Sequence, residues 1–505
     1  MVELQERPDA DRLTTRPSLV LLIVVIGVLM AAVDTTIVVL ALPAMERSLH
    51  ISLSSVIWVI VGYLLVITVT ATQVGRLGDM FGRVRMYEAG FLVFILGSAL
   101  CALANNGATI IAFRLLQGLG GAFITANSGA VLADNFPPER RGRAYGFNAV
   151  GWNVGAILGI LLGGLIITYI SWRWIFWINV PTGIFALALA VPYLHDRGER
   201  ERQRIDWPGM ITLGVGLFFI LWAMVKLSTS NFNGGEEVSL AVGLFFVIVF
   251  VFVERTVKSP MVNLSMFKIP TMPSALLASM FQAIGTFAVL FLVIMYLQGV
   301  RGLTPLHASL LLVPGYLIGG LFAPIGGRLA DRIGPVIPAT AGLMVQIAAL
   351  AIYAQLGPHS SFIVVVVAAT VNGIGSAGFY PANTTAVMAV SPGRAFGIAS
   401  GLLRTFSNVG MVFSFAVAVL VAARSISKRT AFQIFVGTTS LPHRLTVTFG
   451  NGLHAAFYSS MSFLVIAAVL SATRFLRRRP GPTSPGQAGP DSEDQVTTAD
   501  IGAAG

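Results

Sequence analysis

The sequence is short of charge, cysteine and patterned histidine, and each shortage excludes a class of protein. Only 11% of its 505 residues are charged while 55% are hydrophobic. A soluble globular domain carries roughly 25% charge. With a mean hydropathy of +0.80, the chain is expected to take lipid as its solvent. A single cysteine, Cys101, sits in an apolar run, which excludes an internal disulfide and any thiol cluster for metal or redox chemistry. The six histidines show no His-x-x-x-His spacing, so no metal site is expected. No loop exceeds about thirty residues, leaving no room for a soluble catalytic domain; the chain is expected not to be an enzyme and to need no cofactor. A cleavable leader is not expected either, because the first apolar run, 19–42, is too long for a signal core.

What is present is a succession of apolar segments. A membrane-spanning helix needs about 20 mostly apolar residues. About fourteen segments qualify, at 19–42, 54–74, 87–104, 109–133, 145–169, 173–194, 208–228, 237–254, 272–298, 306–330, 335–356, 360–388, 397–422 and 454–476. The fold class is therefore an all-α membrane protein. An even count places both termini on one side. With that side inside, 23 of the 33 Lys and Arg fall in inner segments and eight in outer ones, so the positive-inside rule makes both termini cytoplasmic. Four of the eight outer basic residues, Arg424, Lys428, Arg429 and Arg444, share the last external loop, 423–453. A net charge of +11 would suit a nucleic-acid binder, but this distribution assigns it to topology; no nucleic-acid partner is expected. The stretch 480–505, rich in Pro, Gly, Ser and Asp, is expected to be disordered.

One charged, glycine-rich motif occurs twice. Gly75-Arg76-Leu77-Gly78-Asp79-Met80-Phe81-Gly82 and Gly327-Arg328-Leu329-Ala330-Asp331-Arg332-Ile333-Gly334 share the pattern Gly-Arg-Leu-small-Asp-x-x-Gly. Such recurrence between hydrophobic helices implies internal duplication, as in transporters. The copies follow the second and tenth spans, eight helices apart, whereas two adjoining six-helix halves would separate them by six. Two extra helices, 208–228 and 237–254, must lie between the halves. The expected organisation is a cytoplasmic tail at 1–18, a six-helix bundle at 19–194, a linker with two added spans at 195–271, a second six-helix bundle at 272–476 and a cytoplasmic tail at 477–505.

With those motifs in order, the sequence resembles the fourteen-helix drug:proton antiporters of the major facilitator superfamily over almost its whole length. The first helix carries Asp34-Thr35-Thr36-Ile37-Val38-Val39-Leu40-Ala41-Leu42-Pro43, similar to that family's signature, with Val39 where Asn is common. The repeat extends through Arg83 and Arg85 like the superfamily's cytoplasmic loop motif. Arg114-Leu115-Leu116-Gln117-Gly118-Leu119-Gly120-Gly121 resembles its fourth-helix motif, and residues 171–183 resemble a segment typical of the fourteen-helix group. The fifth helix keeps the glycines of the antiporter motif but has Ile160 where Pro is usual. An interior proline bends a helix, so a weaker bend is expected, and exchange and other transport modes both stay open. The resemblance implies a proton-coupled multidrug exporter working by alternating access, with the proton gradient as its energy source and hydrophobic or cationic compounds as substrates.

Of the 22 acidic residues only Asp34 lies well inside a span. Ionisable groups at that depth are functional candidates by default. A carboxylate there that binds either a proton or a cationic substrate couples two gradients; the alternative is a packing role beside Thr35 and Thr36. Arg114, by resemblance, assists proton transfer or orients the site; otherwise it is an interface residue reaching the headgroups. Arg404, about a third of the way into the thirteenth helix, either pairs across the bundle, contacts a substrate anion, or links helix-end carbonyls. In the motif loops Gly75, Asp79, Arg83, Asp331 and Arg332 form a candidate cytoplasmic gate, since Arg forks hold carboxylates well; a tight turn with charges for topology is the plainer alternative. Trp58, Tyr63, Trp152, Asn153, Phe281, Gln282, Tyr380 and Asn383 are candidate pocket residues, apolar bodies with a few polar atoms; each alternatively faces lipid or packs helices. Gly151, Gly155, Gly159, Gly163 and Gly164 permit close helix approach. Two further functions remain open: a transporter dedicated to one solute such as a siderophore, lipid or metabolite, and a non-transporting sensor or scaffold.

Overall fold

Every long apolar run of the sequence becomes a helix, as backbone groups without access to water must. The computed structural model describes residues 17–196, 204–229, 234–390, 396–424 and 443–476. Among them, fourteen helices are long and apolar enough to cross a membrane, and no strand occurs. The first six are α1 Pro17–Leu49, α2 Leu53–Phe81, α3 Arg83–Leu103, α4 Gly107–Asn135, α5 Pro138–Tyr169 and α6 Trp174–Tyr193. Two more follow, α7 Trp207–Thr229 and α8 Gly235–Thr256. The last six are α9 Met272–Val300, α10 Pro305–Ile333, α11 Val336–Tyr353, α12 Phe362–Ala389, α13 Phe396–Arg424 and α14 His443–Leu476.

The helices overrun their apolar cores. The sequence places the last span at 454–476, but α14 begins at His443, so part of the expected loop 423–453 is helical. The ninth span is not one regular helix: it runs as Met272–Thr286, resumes at Val289–Ile294 and ends in a π-helical turn, Met295–Val300. Arg7, Arg12 and Arg16, Arg197, Arg200 and Arg202, Arg394, Lys428 and Arg429, and the tail 477–505 lie outside the described residues.

The repeated motif has a structural meaning at its final glycine. Gly82 ends α2 with φ +114°, and Gly334 ends α10 with φ +85°. Both are in the left-handed region that glycine tolerates best. At Gly82 a Cβ would also strike the carboxylate of Asp196, which accepts a 2.7 Å bond from the Val84 backbone N–H at the start of α3. Gly75, by contrast, has open space around it.

Helix α5 lies along α1 in a four-residue register. A Cβ at Gly151, Gly155, Gly159 or Gly163 would fall within 2.9 Å of Val25, Leu29, Val33 or Ile37, respectively. Small residues at that spacing let two backbones meet without lipid between them. Gly164 faces the other way, where a Cβ would sit 3.0 Å from Leu306 Cα on α10, and the Leu306 N–H donates to Thr168 Oγ1 at 3.2 Å. The two six-helix groups therefore touch at the ends of α5 and α10 farthest from the motif loops. α7 and α8 pack on each other, and α7 contacts both α2 and α13.

Candidate functional site

Asp34 lies midway along α1, deep in the first bundle, with no exposed surface. A bare carboxylate there would lack its hydration shell, and the structure replaces it. Arg114 Nη1 on α4 donates to Asp34 Oδ2 at 2.7 Å, and Gln117 Nε2, one turn further along α4, donates to Oδ1 at 2.9 Å. Asn179 Nδ2 on α6 approaches the same Oδ1 at 3.5 Å. Four helices thus converge on one carboxylate once Ser98 of α3 is counted: its hydroxyl accepts from Gln117 at 3.2 Å and Asn179 at 3.1 Å, and donates to the Phe176 carbonyl at 2.9 Å.

Arg114 is 1% exposed and does not reach a headgroup, contrary to the interface alternative. Its remaining contacts are internal. Nε donates to the Val59 carbonyl on α2 at 3.1 Å, Nη1 also reaches Gln117 Oε1 at 2.8 Å, and the guanidinium lies 4.1 Å from the centre of the Tyr63 ring. A charge pair stripped of water is retained only when its remaining hydrogen-bonding capacity is met, and here amide, carbonyl and aromatic groups surround it. Arg114 Nη1 is shared between the Asp34 carboxylate and Gln117 Oε1, so the cation keeps a neutral acceptor beside its charged partner.

Gln117, Ser98 and Asn179 were not singled out from the sequence. Gln117 and Asn179 both stand inside the motifs at 114–121 and 171–183; the signal was their uncharged polarity in apolar helices. In the latter motif, Arg173 donates to the Ala102 and Ala104 carbonyls at 3.1 and 2.7 Å, which caps the end of α3 and presents α6 at the height of Asp34.

The expected gate residues separate. Arg83 Nε donates to Asp79 Oδ1 at 2.9 Å, and its Nη1 pairs with Asp134 on α4. All three residues belong to the first six helices, and these bonds tie α2, α3 and α4 to one another. Asp331 and Arg332 are exposed and form no ion pair among the described residues. Neighbouring residues on a helix point apart, so Asp331 and Arg332 do not meet, whereas the turn at Gly82 brings Arg83, the first residue of α3, back onto Asp79 near the end of α2.

The candidate pocket residues scatter likewise. Tyr63 belongs to the Asp34 site. Trp58 instead faces the added hairpin, with its ring 5.4 Å from Phe218 and 6.0 Å from Trp222 of α7, and Phe281 stacks on Phe463 of α14 at 6.2 Å; both pack helices. Asn383 Nδ2 donates to the Ala275 carbonyl at 3.1 Å and its Oδ1 accepts from buried Arg474 at 2.8 Å, a link among α9, α12 and α14. Gln282 lies in an uncharged chain in the second bundle, donating to Gln346 Oε1 at 3.2 Å, while Gln346 donates to Ser376 at 2.8 Å. Tyr380 is 43% exposed beside Phe379. Trp152 and Asn153 are exposed on α5, Asn153 facing Gly320 of α10. Arg404 Nη1 crosses from α13 to the Thr125 carbonyl of α4 at 2.6 Å, a bond between the halves.

Comparison with known proteins agrees with this architecture. The chain is 31% identical over 492 residues to the tetracenomycin C resistance and export protein of Streptomyces glaucescens, covering 91% of each chain. It is 29% identical to the riboflavin transporter RibZ of Clostridioides difficile over 82% of this chain and 90% of that one. Among solved structures, a bacterial homolog of the human lysosomal transporter Spinster, in an inward-facing and unoccupied conformation, superposes with a TM-score of 0.67 over 93% of this chain and 99% of the other, at 18% identity; this likeness shows the fold. The sequence matches the Major Facilitator Superfamily over residues 24–414 and again over 275–499. With fourteen apolar helices, a duplicated loop motif and a polar site buried in the first bundle, the chain belongs to the Major Facilitator Superfamily of membrane transporters.

Proposed function

We propose that this transporter is a proton-coupled exporter of hydrophobic compounds, cationic ones among them, operating by alternating access in the cell membrane with both termini cytoplasmic. The observation that carries the reading is the Asp34–Arg114 pair at 2.7 Å, fully buried. Among the described residues, Asp34 is the buried acid held at mid-helix depth by donors from α4 and α6. A proton added to it removes the charge that Arg114 pairs with. A cationic substrate drawn to the same carboxylate competes with that proton, and this competition is sufficient to link efflux to proton entry. The resistance and export role named for the Streptomyces relative supports the direction, and apolar residues with a few polar atoms suit hydrophobic compounds. The excess of Lys and Arg on the motif side supports the orientation, and the proton gradient supplies the energy without a bound cofactor.

The test is transport in proteoliposomes, with and without an imposed pH gradient, across dyes and cationic drugs, together with resistance conferred on a pump-deficient host by wild type and Asp34→Asn. Gradient-driven flux that vanishes in Asp34→Asn is expected. Equal resistance in the two would sink coupling through Asp34. A second reading, a transporter dedicated to one solute, is favoured by the relative named for riboflavin and by Ile160 in place of the antiporter-motif proline. Thermal shifts separate the two: one tight ligand in a broad panel supports dedication, many weak ones support polyspecificity.

A further inference from the structure

On the motif side, away from Asp34, a second pair of buried acids joins α2 to the added hairpin of α7 and α8. Asp206 caps α7: its Oδ1 accepts from the Gly209 N–H at 2.8 Å and its Oδ2 from the Met261 N–H at 3.3 Å. Its own N–H donates to Gln73 Oε1 of α2 at 3.1 Å. Glu254, in the last turn of α8, accepts from the Val262 N–H through Oε2 at 2.9 Å. The two acids are 1% and 3% exposed. The remaining oxygen, Glu254 Oε1, is buried and meets no donor among the described residues. What it faces is the Asp206 carboxyl. Both groups press against Gly209, where one added Cβ would strike the Asp206 carboxyl and lie 2.8 Å from Glu254 Oε1.

The neighbouring cation does not form an ion pair with either acid. Arg76 of α2 directs its guanidinium to main-chain carbonyls, those of Arg204 at 3.1 Å, Ser259 at 2.7 Å and Pro260 at 2.5 Å. Arg76 is the charged group of α2 beside the pair, with both acids and Asp79 acting on it, while residues 204 and 259–262 present backbone atoms. Two carboxyls in contact cannot both ionise without strong repulsion, and a hydrogen bond between them requires one proton.

We propose that Glu254 and Asp206 form a proton-binding site separate from Asp34, in which a proton taken from the motif-side water rests on Glu254 Oε1 and is donated to Asp206 Oδ2, fastening the hairpin to α2. Losing that proton to water sets two negative charges in contact. It drives the end of α8 from the start of α7 and frees the segment 259–262 that Arg76 holds. The helix that the site caps, α7, touches α13 as well as α2.

The test needs no substrate. Full-length protein in lipid is examined by infrared spectroscopy for a protonated-carboxyl C=O band, in wild type, Asp34→Asn, Glu254→Gln and Asp206→Asn. The expected result is a band at neutral pH that persists in Asp34→Asn, is lost in Glu254→Gln and disappears from wild type as the pH rises. A band unchanged by Glu254→Gln, or none in wild type, overturns the site. Gln at 254 reproduces the protonated acid's donor, so amide exchange at 261 and 262, corrected for its intrinsic rate, should rise several-fold with pH in wild type and stay flat in the variant; parallel behaviour of the two overturns the fastening role. If Glu254→Gln does not fold, loss of the band in Asp206→Asn with the wild-type titration decides, and a band retained in Asp206→Asn at high pH overturns the proposal.

Discussion

Asp34 and Arg114, 80 residues apart in sequence, make a 2.7 Å charged hydrogen bond in which neither side chain is more than 1% exposed. Such a pair contributes little net stability compared with apolar packing, but removing one partner leaves an unpaired buried charge and costs about 3–5 kcal/mol. Asp34→Asn should therefore lower the unfolding temperature as well as abolish gradient-driven flux. The double variant Asp34→Asn/Arg114→Gln should recover much of the stability and none of the flux. Thermal unfolding in detergent beside proteoliposome transport checks both, and recovery of flux by the double variant would refute the coupling role.

The α1–α5 seam gives a second expectation. At Gly159 a Cβ would come within 2.7 Å of the Val33 carbonyl and closer still to the Thr36 hydroxyl, which itself reaches the Ala156 carbonyl at 3.3 Å. Gly159→Ala should force the helices apart at the height of Asp34 and cost on the order of 1–3 kcal/mol, the usual range for overpacking. Gly320→Ala, with Asn153 Cβ no nearer than 4.0 Å, should be close to neutral. Unfolding temperatures of the two variants make the comparison; equal losses would contradict the packing assignment.

The seam also shows why parts of the site were legible in the sequence and parts were not. Fourteen spans, the duplication and the depth of Asp34 follow from hydropathy and the cost of burying charge, which act residue by residue along the chain. The four-residue glycine repeat is likewise a local signal. Which face of α2 carries Trp58, and that it turns to the hairpin and not to the centre, depends on how α7 docks, and no local pattern encodes that. Gln117, Ser98 and Asn179 are uncharged, so an audit of ionisable residues passes over them although they hold the carboxylate. The motif repeats in sequence while the partners of its acid do not: the second copy has no counterpart of Arg83 four residues on, since Pro335 follows Gly334 at once.

That inequality between the copies is measurable. Asp79 bonds Arg83, which in turn pairs with Asp134, so Asp79→Asn should loosen the ends of α2, α3 and α4 and reduce transport several-fold. Asp331→Asn removes an exposed charge without an ion pair and should change stability by less than about 0.5 kcal/mol, as surface substitutions usually do. Protease accessibility of the α2–α3 junction at 75–85 in the two variants distinguishes them. A larger effect at Asp331 would show that the second copy acts in a conformation with partners other than those described.

Gly82 tests the backbone meaning of the motif. Its φ of +114° is open to glycine, and a side chain there would also displace the Asp196 carboxylate from the Val84 N–H. Gly82→Ala should therefore lose more stability than the roughly 1–2 kcal/mol expected from left-handed strain alone. Combining it with Asp196→Ala, which vacates the space, should bring the loss back toward that strain value. Unfolding of the single and double variants gives the coupling directly, and strict additivity would show that the carboxylate is not what excludes a side chain at 82.

Arg404 supplies the last expectation. It lies eight residues into α13, about 12 Å from that helix's start at 1.5 Å per residue, and Thr125 lies ten residues from the end of α4, at about 15 Å by the same rise. The bond between them, 2.6 Å to a backbone carbonyl, therefore joins the two halves at matching depth on the motif side. Opposite it, at the far ends of α5 and α10, Leu306 and Thr168 hold the halves together. Alternating access requires such contacts on the two sides to exchange. Arg404→Ala should release the motif-side bond and widen the distance between spin labels at the ends of α4 and α13, while Thr168→Val should do the same at the other face. Because the Thr125 carbonyl also remains available to its own helix, Arg404→Ala should shift the conformational equilibrium with little loss of thermal stability; an unchanged distance distribution would mean the bond bears no part in closing that side.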